Sequence, residues 1–294
     1  MSYITGTFPP IKEDTINTGK KKREGVVPVI ADMFDCFFFD LDGVLYVGGK
    51  TTPAAAESLD TLRSMGKAIR FLTNNPTTRV RIADRLRGHG IAAEMNEIVT
   101  AGSATAKYLA EQGISRAWVI GESGLHKEVE MAGILPAGEK DCEALVLGWD
   151  ETATLAMVRR AALAVRNGAL FVATNIDRTF PTAEGPVAGV GALVEAIRTG
   201  SGRDPVVVGK PFPPMFTEAL ASAGFPGNRT VMVGDTPEVD ILGAHRAGVS
   251  AILMGDAPLS GEGDFKCPDG RISSLPDLFS PERTCGRWSL PRTE

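Results

Sequence analysis

The chain has 294 residues, of which 43% are hydrophobic and 23% charged, a balance typical of folded globular proteins and not of disordered ones. Its net charge of −5 argues against a dedicated nucleic-acid-binding protein, because such a protein carries a strongly basic face. No apolar run approaches the roughly 20 residues of a membrane helix, no signal peptide is recognisable and the cysteines are scattered, so we expect a cytoplasmic protein without a membrane partner.

Both ends of the chain are expected to be flexible. Residues 1–22 are polar and lead into a basic run at residues 20–23, which is more typical of a solvated tail than of a nucleic-acid or lipid patch. Residues 281–294 form a second loose segment that is expected to lack order. The folded part is expected to begin near residue 23 with a short helix.

Between these tails, short apolar runs alternate with stretches of helical periodicity. The apolar runs are typical of strands buried on both faces and lie at residues 36–39, 68–72, 117–120, 144–147, 169–172, 205–208, 230–233 and 250–253. The helical stretches lie at residues 54–65, 79–87, 155–165, 190–198 and 213–223. This alternation predicts an α/β fold with a doubly wound parallel sheet.

Several of the predicted strands end in polar residues, at the edge where open α/β sheets bind their ligands. The first strand ends in the motif Asp40-Leu41-Asp42-Gly43, whose two carboxylates can share a side of an extended chain. A carboxylate can attack phosphorus, and a second one nearby can move protons. Taken alone, an Asp-Gly pair after a strand also fits an ordinary turn.

Three further strand ends offer groups that suit phosphate and a cation. Thr73 and Asn74 combine a hydroxyl with backbone N–H groups before a helix, which suits phosphate but also fits a helix cap. Lys210 supplies a compact positive charge, although isolated lysines usually lie on the surface. Asp235 and Asp240 are oxygen donors of the kind that Mg²⁺ prefers. Because one parallel sheet would bring these ends together, a single site is favoured over separate turns.

These motifs, in this order, resemble those of the haloacid dehalogenase superfamily. Further stretches at residues 71–75, 173–175, 181–182, 189–192 and 209–211 are similar to its NagD or para-nitrophenyl phosphatase branch, and the resemblance covers roughly residues 36–279. It implies a Rossmann-like core with an inserted α/β cap. It also implies a Mg²⁺-dependent phosphatase that hydrolyses small phosphomonoesters through an aspartyl-phosphate intermediate.

The resemblance further implies a role for each residue of the motifs. Asp40 would be the nucleophile, and Asp42 would protonate the leaving group and then activate water. Mg²⁺ would be held by Asp40, the backbone carbonyl of Asp42 and Asp235, with Asp240 orienting its waters or completing the site.

The substrate would be bound by groups on the same loops. Thr73 and the N–H of Asn74 would hold phosphoryl oxygens, with Gly43 and Asn75 as further substrate contacts. Lys210 would offset the negative charge of the phosphoryl group and of Asp40.

The spacing of the motifs predicts where a second domain is inserted. The stretch from Asp42 to Thr73 holds one turn and one helix, whereas the stretch from Thr73 to Lys210 holds three further strand-like runs. We therefore expect a core of residues 23–81 and 204–280 and a cap of residues 82–203. The resemblance implies that Asn175 and Asp177 in the cap contact the substrate, although capping side chains at a strand end explain each of them equally well. A homodimer formed through the cap is left open.

The sequence does not choose among small phosphorylated metabolites, and our preference is for a glycerol phosphate or a sugar phosphate. Two other functions are left open. A phosphotransferase would pass the phosphoryl group to an acceptor other than water. A non-catalytic phosphometabolite-binding protein is disfavoured because Asp40, Asp42, Lys210 and Asp235 are all present.

The three histidines are interpreted as ordinary helix or turn residues; they are His89, His126 and His245.

Overall fold

The computed structural model of this chain describes residues 29–182, 185–258 and 266–280. The flexible ends expected at residues 1–22 and 281–294 lie outside the described residues, as does the start of the fold expected near residue 23. Within the described ranges, none of the helices combines the length and the apolar character that crossing a bilayer requires.

Helices and strands alternate along most of the chain. The strands are β1 (Cys36–Asp40), β2 (Tyr46–Val47), β3 (Lys50–Thr51), β4 (Ala68–Thr73), β5 (Ile98–Thr100), β6 (Arg116–Ile120), β7 (Leu135–Pro136), β8 (Ala144–Leu147), β9 (Leu170–Ala173), β10 (Thr179–Thr182), β11 (Gly185–Ala188), β12 (Val206–Val207), β13 (Thr230–Gly234), β14 (Ser250–Met254) and β15 (Gly270–Ile272). The helices are α1 (Ile30–Met33), α2 (Ala55–Ser64), α3 (Arg79–Gly88), α4 (Ala101–Glu111), α5 (Ser123–Met131), α6 (Leu155–Arg166), α7 (Val190–Ser201), α8 (Pro213–Ala223) and α9 (Leu242–Arg246). The predicted strands and helices are confirmed to within a few residues.

A six-stranded sheet with the order β15-β14-β13-β1-β4-β5 forms the core domain and is parallel throughout. Its central strand β1 is apolar because helices cover both faces of the sheet. Phe37 and Phe39 pack in one apolar cluster with residues of α2 and α3, whereas Phe38 packs in a second cluster with residues of α8. The predicted doubly wound parallel sheet is confirmed.

The inserted cap contains a second parallel sheet, with the order β12-β9-β8-β6-β7. Helices α6 and α7 pack on each other and on β8, and they share an apolar cluster with residues of the strands. The antiparallel hairpin β10-β11 lies between β9 and α7 in the chain. The helix α4 contacts both α5 of the cap and α8 of the core, so it lies at the junction of the two domains.

Sheet membership does not follow the expected borders of the cap. Residue 82 lies inside α3, whose Ile82 and Leu86 are buried in the core cluster, and the following strand β5 pairs with β4 in the core sheet. At the other border, β12 lies after residue 204 but pairs with β9 of the cap sheet. At each expected border a strand thus pairs with the sheet on the other side, because an apolar run shows that a strand is buried but not which sheet it joins. The residue limits of the two domains stay a prediction.

Candidate active site

The site begins at the carboxyl end of β1, where the chain turns sharply after Asp40. The N–H of Leu45 donates to the carbonyl of Leu41 at 2.9 Å, which closes the turn. Gly43 has a φ of +87°, and a Cβ at this position would lie 2.0 Å from Oδ2 of Asp235. Only glycine therefore allows the carboxylate of Asp235 to approach this turn. The structure thus shows Gly43 making room for Asp235, and its expected contact with the substrate stays a prediction.

Lys210 lies between two carboxylates at the centre of the site. Its side chain is buried, with 3% of the residue exposed, and Nζ donates to Oδ1 of Asp40 at 2.5 Å and to Oδ1 of Asp240 at 2.7 Å. Burial lowers the pKa of Lys210, but the charges of Asp240 and Asp40 more than offset this effect, so the net shift is upward. Lys210 therefore keeps its positive charge between the carboxyl groups of Asp40 and Asp240.

The main chain of Lys210 is held by the side chain of Asn74, a contact that joins two loops far apart in sequence. The N–H of Lys210 donates to Oδ1 of Asn74 at 2.8 Å, and Nδ2 of Asn74 donates to the carbonyl of Lys210 at 3.0 Å. Sequence reasoning assigned only the backbone N–H of Asn74 and missed this role of its side chain. An asparagine after a strand also fits a helix cap, so the sequence carried no specific signal for it.

Three carboxylates converge beside Lys210. One carboxylate oxygen from each of Asp40, Asp235 and Asp240 lies within 4.8 Å of the others. Asp240 is 1% exposed, and its oxygens are engaged by Lys210 and by the N–H of Thr236, which donates to Oδ2 at 3.1 Å. The side chain of Asp42 is exposed and lies outside this cluster.

A short π-helical turn over Pro237–Ile241 returns Asp240 to the end of β13. A Cβ on Gly234 would lie 2.2 Å from Cβ of Asp240, so the last residue of this strand has to be glycine for the turn to close. Asp235 follows directly, and its Oδ1 accepts a hydrogen bond from the hydroxyl of Thr236 at 3.1 Å. The end of β13 thus places the carboxylate of Asp235 at the surface of the site and the carboxylate of Asp240 on its buried side.

The electrostatics of this cluster fit a divalent cation. Burial raises the pKa of Asp40 to about 7, with Asp240 and Asp235 adding to the rise and Lys210 opposing it. Burial and the neighbouring Asp240 also raise the pKa of Asp235. One lysine does not balance three close carboxylates, and a group of hard oxygen donors is the ligand set that Mg²⁺ prefers. The residues present therefore fit a bound Mg²⁺.

Thr73 and Asn75 lie on the loop that follows β4. Thr73 is buried, and its Oγ1 accepts a hydrogen bond from the N–H of Asn75 at 3.1 Å, which leaves the hydroxyl proton to donate. The side chain of Asn75 accepts from the N–H of Thr77 at 3.0 Å and so shapes the loop itself. The loop is suited to present donors to an anion.

The cap contributes a loop after β9 in which Asn175 and Asp177 have different positions. Asn175 is 5% exposed, accepts from the N–H of Asp177 at 3.1 Å and donates from Nδ2 to the carbonyl of Asn74 at 3.4 Å. These contacts attach the cap loop to the core. Asp177 is exposed, and partial shielding of its carboxyl from water raises its pKa while the charge of Lys210 opposes the rise. Its carboxylate thus lies within electrostatic reach of the catalytic cluster.

The chain matches models of known protein families in two segments. One model is described as haloacid dehalogenase-like hydrolase and matches residues 37–135. The other is described as HAD-hydrolase-like and matches residues 207–258. The matched segments contain the ends of β1, β4 and β13, where the site residues lie.

Two curated proteins illustrate the similarity of the full sequence. The chain is 37% identical over 233 residues to a D-glycerol 3-phosphate phosphatase of Mycobacterium tuberculosis, covering 76% of this chain and 64% of that protein. It thus spans slightly less than two thirds of that relative. It is 35% identical over 244 residues to the sugar-phosphatase AraL of Bacillus subtilis, covering 81% of this chain and 90% of that protein.

Solved structures show the same fold. A glycerol phosphate phosphatase from Mycobacterium tuberculosis in complex with magnesium superposes with a TM-score of 0.78 at 33% identity, covering 86% of this chain and 78% of that chain. NagD from E. coli K-12 superposes with a TM-score of 0.75 at 31% identity, covering 83% of this chain and 97% of that chain.

Proposed function

We propose that this chain acts on glycerol phosphate or a sugar phosphate with Mg²⁺ as its cofactor. The chain belongs to the haloacid dehalogenase superfamily, in its NagD-like branch, and is a phosphoric monoester hydrolase. The names of the related phosphatases support this substrate class. The magnesium complex of one neighbour and the carboxylate cluster of this chain support the cofactor. The observation that carries the proposal is the position of Lys210 between Asp40 and Asp240, beside Asp235.

Asp40, Asp235 and the backbone carbonyl of Asp42 would hold the metal ion. Asp240 is already engaged by Lys210 and Thr236, so it would support the site by fixing its neighbours or the waters of the ion. A bound Mg²⁺ neutralises phosphoryl oxygens and so allows an anionic nucleophile to approach phosphorus.

Asp40 attacks the phosphorus atom and becomes an aspartyl phosphate. Lys210 engages its Oδ1, so Oδ2 is the oxygen left for the attack. The hydroxyl of Thr73 and the N–H of Asn74 hold phosphoryl oxygens during this transfer. Asp42, exposed beside the turn, donates a proton to the leaving oxygen and then accepts one from the water that hydrolyses the intermediate.

The cap loop selects the part of the substrate that does not react. Asn175 is buried and engaged with Asn74, so it acts by holding the loop in place. Asp177 is exposed and presents an acceptor that suits the hydroxyl groups of glycerol or of a sugar. The cap thereby favours polyol phosphates.

A screen of phosphate release tests the proposal. The purified full chain is incubated with glycerol 3-phosphate, several sugar phosphates, 2-phosphoglycolate and a nucleoside monophosphate, with Mg²⁺ or with EDTA. We expect inorganic phosphate from the polyol phosphates with Mg²⁺ only. Release without an added acceptor also separates a phosphatase from a phosphotransferase. A chain that binds these esters and releases no phosphate would contradict the proposal.

A further inference from the structure

The hairpin β2-β3 directly follows the turn that carries Asp42. Asp42 forms a β-bridge with Tyr46, and the N–H of Gly43 donates to the carbonyl of Tyr46 at 2.8 Å. The tip of the hairpin, residues 47–50, is exposed. An isolated two-stranded hairpin is marginally stable, so contacts at its base have to hold it. The position of Asp42 therefore depends on how firmly Tyr46 is held.

His89, the C-cap residue directly after α3, contacts both strands of this hairpin at its base. Its ring stacks on the ring of Tyr46, with the centroids 4.6 Å apart and an interplanar angle of 10°. Its Nδ1 lies 3.0 Å from Oγ1 of Thr51, and this hydroxyl also donates to the carbonyl of His89 at 3.2 Å. His89 was expected to be an ordinary helix or turn residue, but in the structure it joins the end of a core helix to the hairpin.

The two partners of His89 are themselves paired. Tyr46 lies opposite Thr51 across the hairpin, and Tyr46 is 1% exposed. The side chain of His89 thus contacts both members of the residue pair at the base of the hairpin, beside the hydrogen bond that the N–H of Thr52 donates to the carbonyl of Leu45 at 2.9 Å. Two different contacts contribute, because the stack restrains the ring of Tyr46 and the hydrogen bond restrains Thr51.

We propose that His89 is a positioning residue for Asp42, acting through Tyr46 and the hairpin. This inference rests on the proposed role of Asp42 as the general acid. In the first step the bond between Asp40 and phosphorus forms and the bond from phosphorus to the leaving oxygen breaks. The proton of the Asp42 carboxyl passes to that oxygen, which leaves as an alcohol. A displaced Asp42 slows this step only when the leaving oxygen needs the proton.

Substrates with different leaving groups therefore distinguish a positioning role of His89 from a general structural role. Glycerol is a poor leaving group that requires protonation, whereas p-nitrophenolate leaves without it. The value of kcat/KM reports only events up to the first irreversible step, so it excludes the hydrolysis of the intermediate, which is common to both substrates. A variant with loosened structure loses kcat/KM on both substrates equally.

The experiment compares kcat/KM on glycerol 3-phosphate and on p-nitrophenyl phosphate, with saturating Mg²⁺, for a set of variants. For His89→Ala we expect a loss of about tenfold on glycerol 3-phosphate, a part of the 10²–10⁴-fold that general acids contribute, and less than about threefold on p-nitrophenyl phosphate. His89→Phe keeps a ring for the stack, and Thr51→Val removes the hydroxyl. Each should therefore show a smaller loss of kcat/KM, which is again larger on glycerol 3-phosphate than on p-nitrophenyl phosphate. His126→Ala, a histidine on the cap helix α5, is the matched control and should leave both values unchanged.

Asp42→Asn distinguishes failure of this inference from failure of the proposed mechanism. It should show the same leaving-group preference as His89→Ala but with a larger loss. If Asp42→Asn shows the preference and the His89 and Thr51 variants do not, the positioning role is wrong. If Asp42→Asn itself loses activity equally on both substrates, the general-acid role is wrong and the inference fails with it. Should His89→Ala not fold, His89→Phe and Thr51→Val decide the question.

Discussion

The carboxyl end of the core sheet and the cap loop at residues 174–178 face the same site but are built in opposite ways. In the core, Lys210 and Asp240 are almost fully buried, and Lys210 forms direct ion pairs with Asp240 and with Asp40. In the cap loop, Asn175 is buried, whereas residues 176–178 are exposed. The charged groups of the core are thus held by one another, whereas the side chains of residues 176–178 lie at the surface.

This difference follows from the energetics of burial. A buried charge is tolerated only while it keeps a partner of opposite charge, so removing Lys210 from the core cluster should destabilise the fold. Asp177 lies in an exposed part of the loop and has no buried ion pair to lose, so it can be replaced at little cost to folding. We therefore expect mutations in the core cluster and in the cap loop to have different effects. Four predictions test this contrast.

The largest effect on activity is expected for Asp40→Asn. An amide cannot form the aspartyl phosphate, so kcat for phosphate release should fall on the order of 10⁴-fold or more. Lys210 keeps its partner Asp240, so the melting temperature should stay close to that of the parent. Initial rates and thermal unfolding check both expectations. A variant that hydrolyses p-nitrophenyl phosphate at the parent rate would refute the assignment of the nucleophile.

The largest effect on stability is expected for Lys210→Met. It leaves the buried carboxylate of Asp240 without its cation, which should cost roughly 3–5 kcal/mol of unfolding free energy as well as the activity. Adding Asp240→Asn in the same chain should restore part of the stability but none of the activity. Denaturant unfolding of both variants provides the measurement, with Lys107→Met on the exposed face of α4 as the control. Equal stability of parent and Lys210→Met would show that the cluster is not held by these ion pairs.

The affinity for Mg²⁺ should depend on pH. Without metal, the pKa of Asp40 is raised to about 7, far above the ordinary value of 3.8, so below this pH a cation has to displace a proton. The affinity should fall by up to about tenfold for each pH unit below 7 and level off above it. Calorimetric titration with MgCl₂ at several pH values measures this slope. An affinity independent of pH between 5 and 7 would contradict a metal site that includes Asp40.

The smallest effect is expected for Asp177→Ala in the cap loop. Losing one hydrogen bond to a substrate hydroxyl, worth about 1 kcal/mol, should raise KM for glycerol 3-phosphate by roughly three- to tenfold. The melting temperature should not change, and neither should KM for p-nitrophenyl phosphate, which has no hydroxyl groups on its leaving group. Glu130→Ala on the exposed side of α5 serves as the control. A substantial loss of stability in Asp177→Ala would remove the contrast between core and cap.

Much of this site could be predicted from the sequence because its residues follow buried strands. Asp40, Thr73 and Asp235 each lie where an apolar run stops, and apolar runs of this kind are visible without a structure. Parallel strands in one sheet bring their carboxyl ends to one edge, so the motifs could be expected to meet. The structure does bring Asp40, Lys210, Asp235 and Asp240 together.

Other features had no local signal. The side chain of Asn74 holds the main chain of Lys210 from a loop far away in the sequence, and His89 holds a hairpin that begins at Tyr46. Each of these residues fits an ordinary cap or turn when it is seen alone. The sequence likewise carried no signal for the sheets that the short strand β5 and the two-residue strand β12 join.

The sequence by itself determined the fold class, the order of the strands along the chain and the residue types that each strand end offers. These properties depend on periodicity and on chemistry within a few residues, which the linear chain displays directly. Only the tertiary structure decided which sheet each strand joins, which carboxylates share Lys210 and which side chains hold the loops. Those choices depend on packing between segments that are distant in sequence, and a local pattern carries no information about the partner that a side chain will meet.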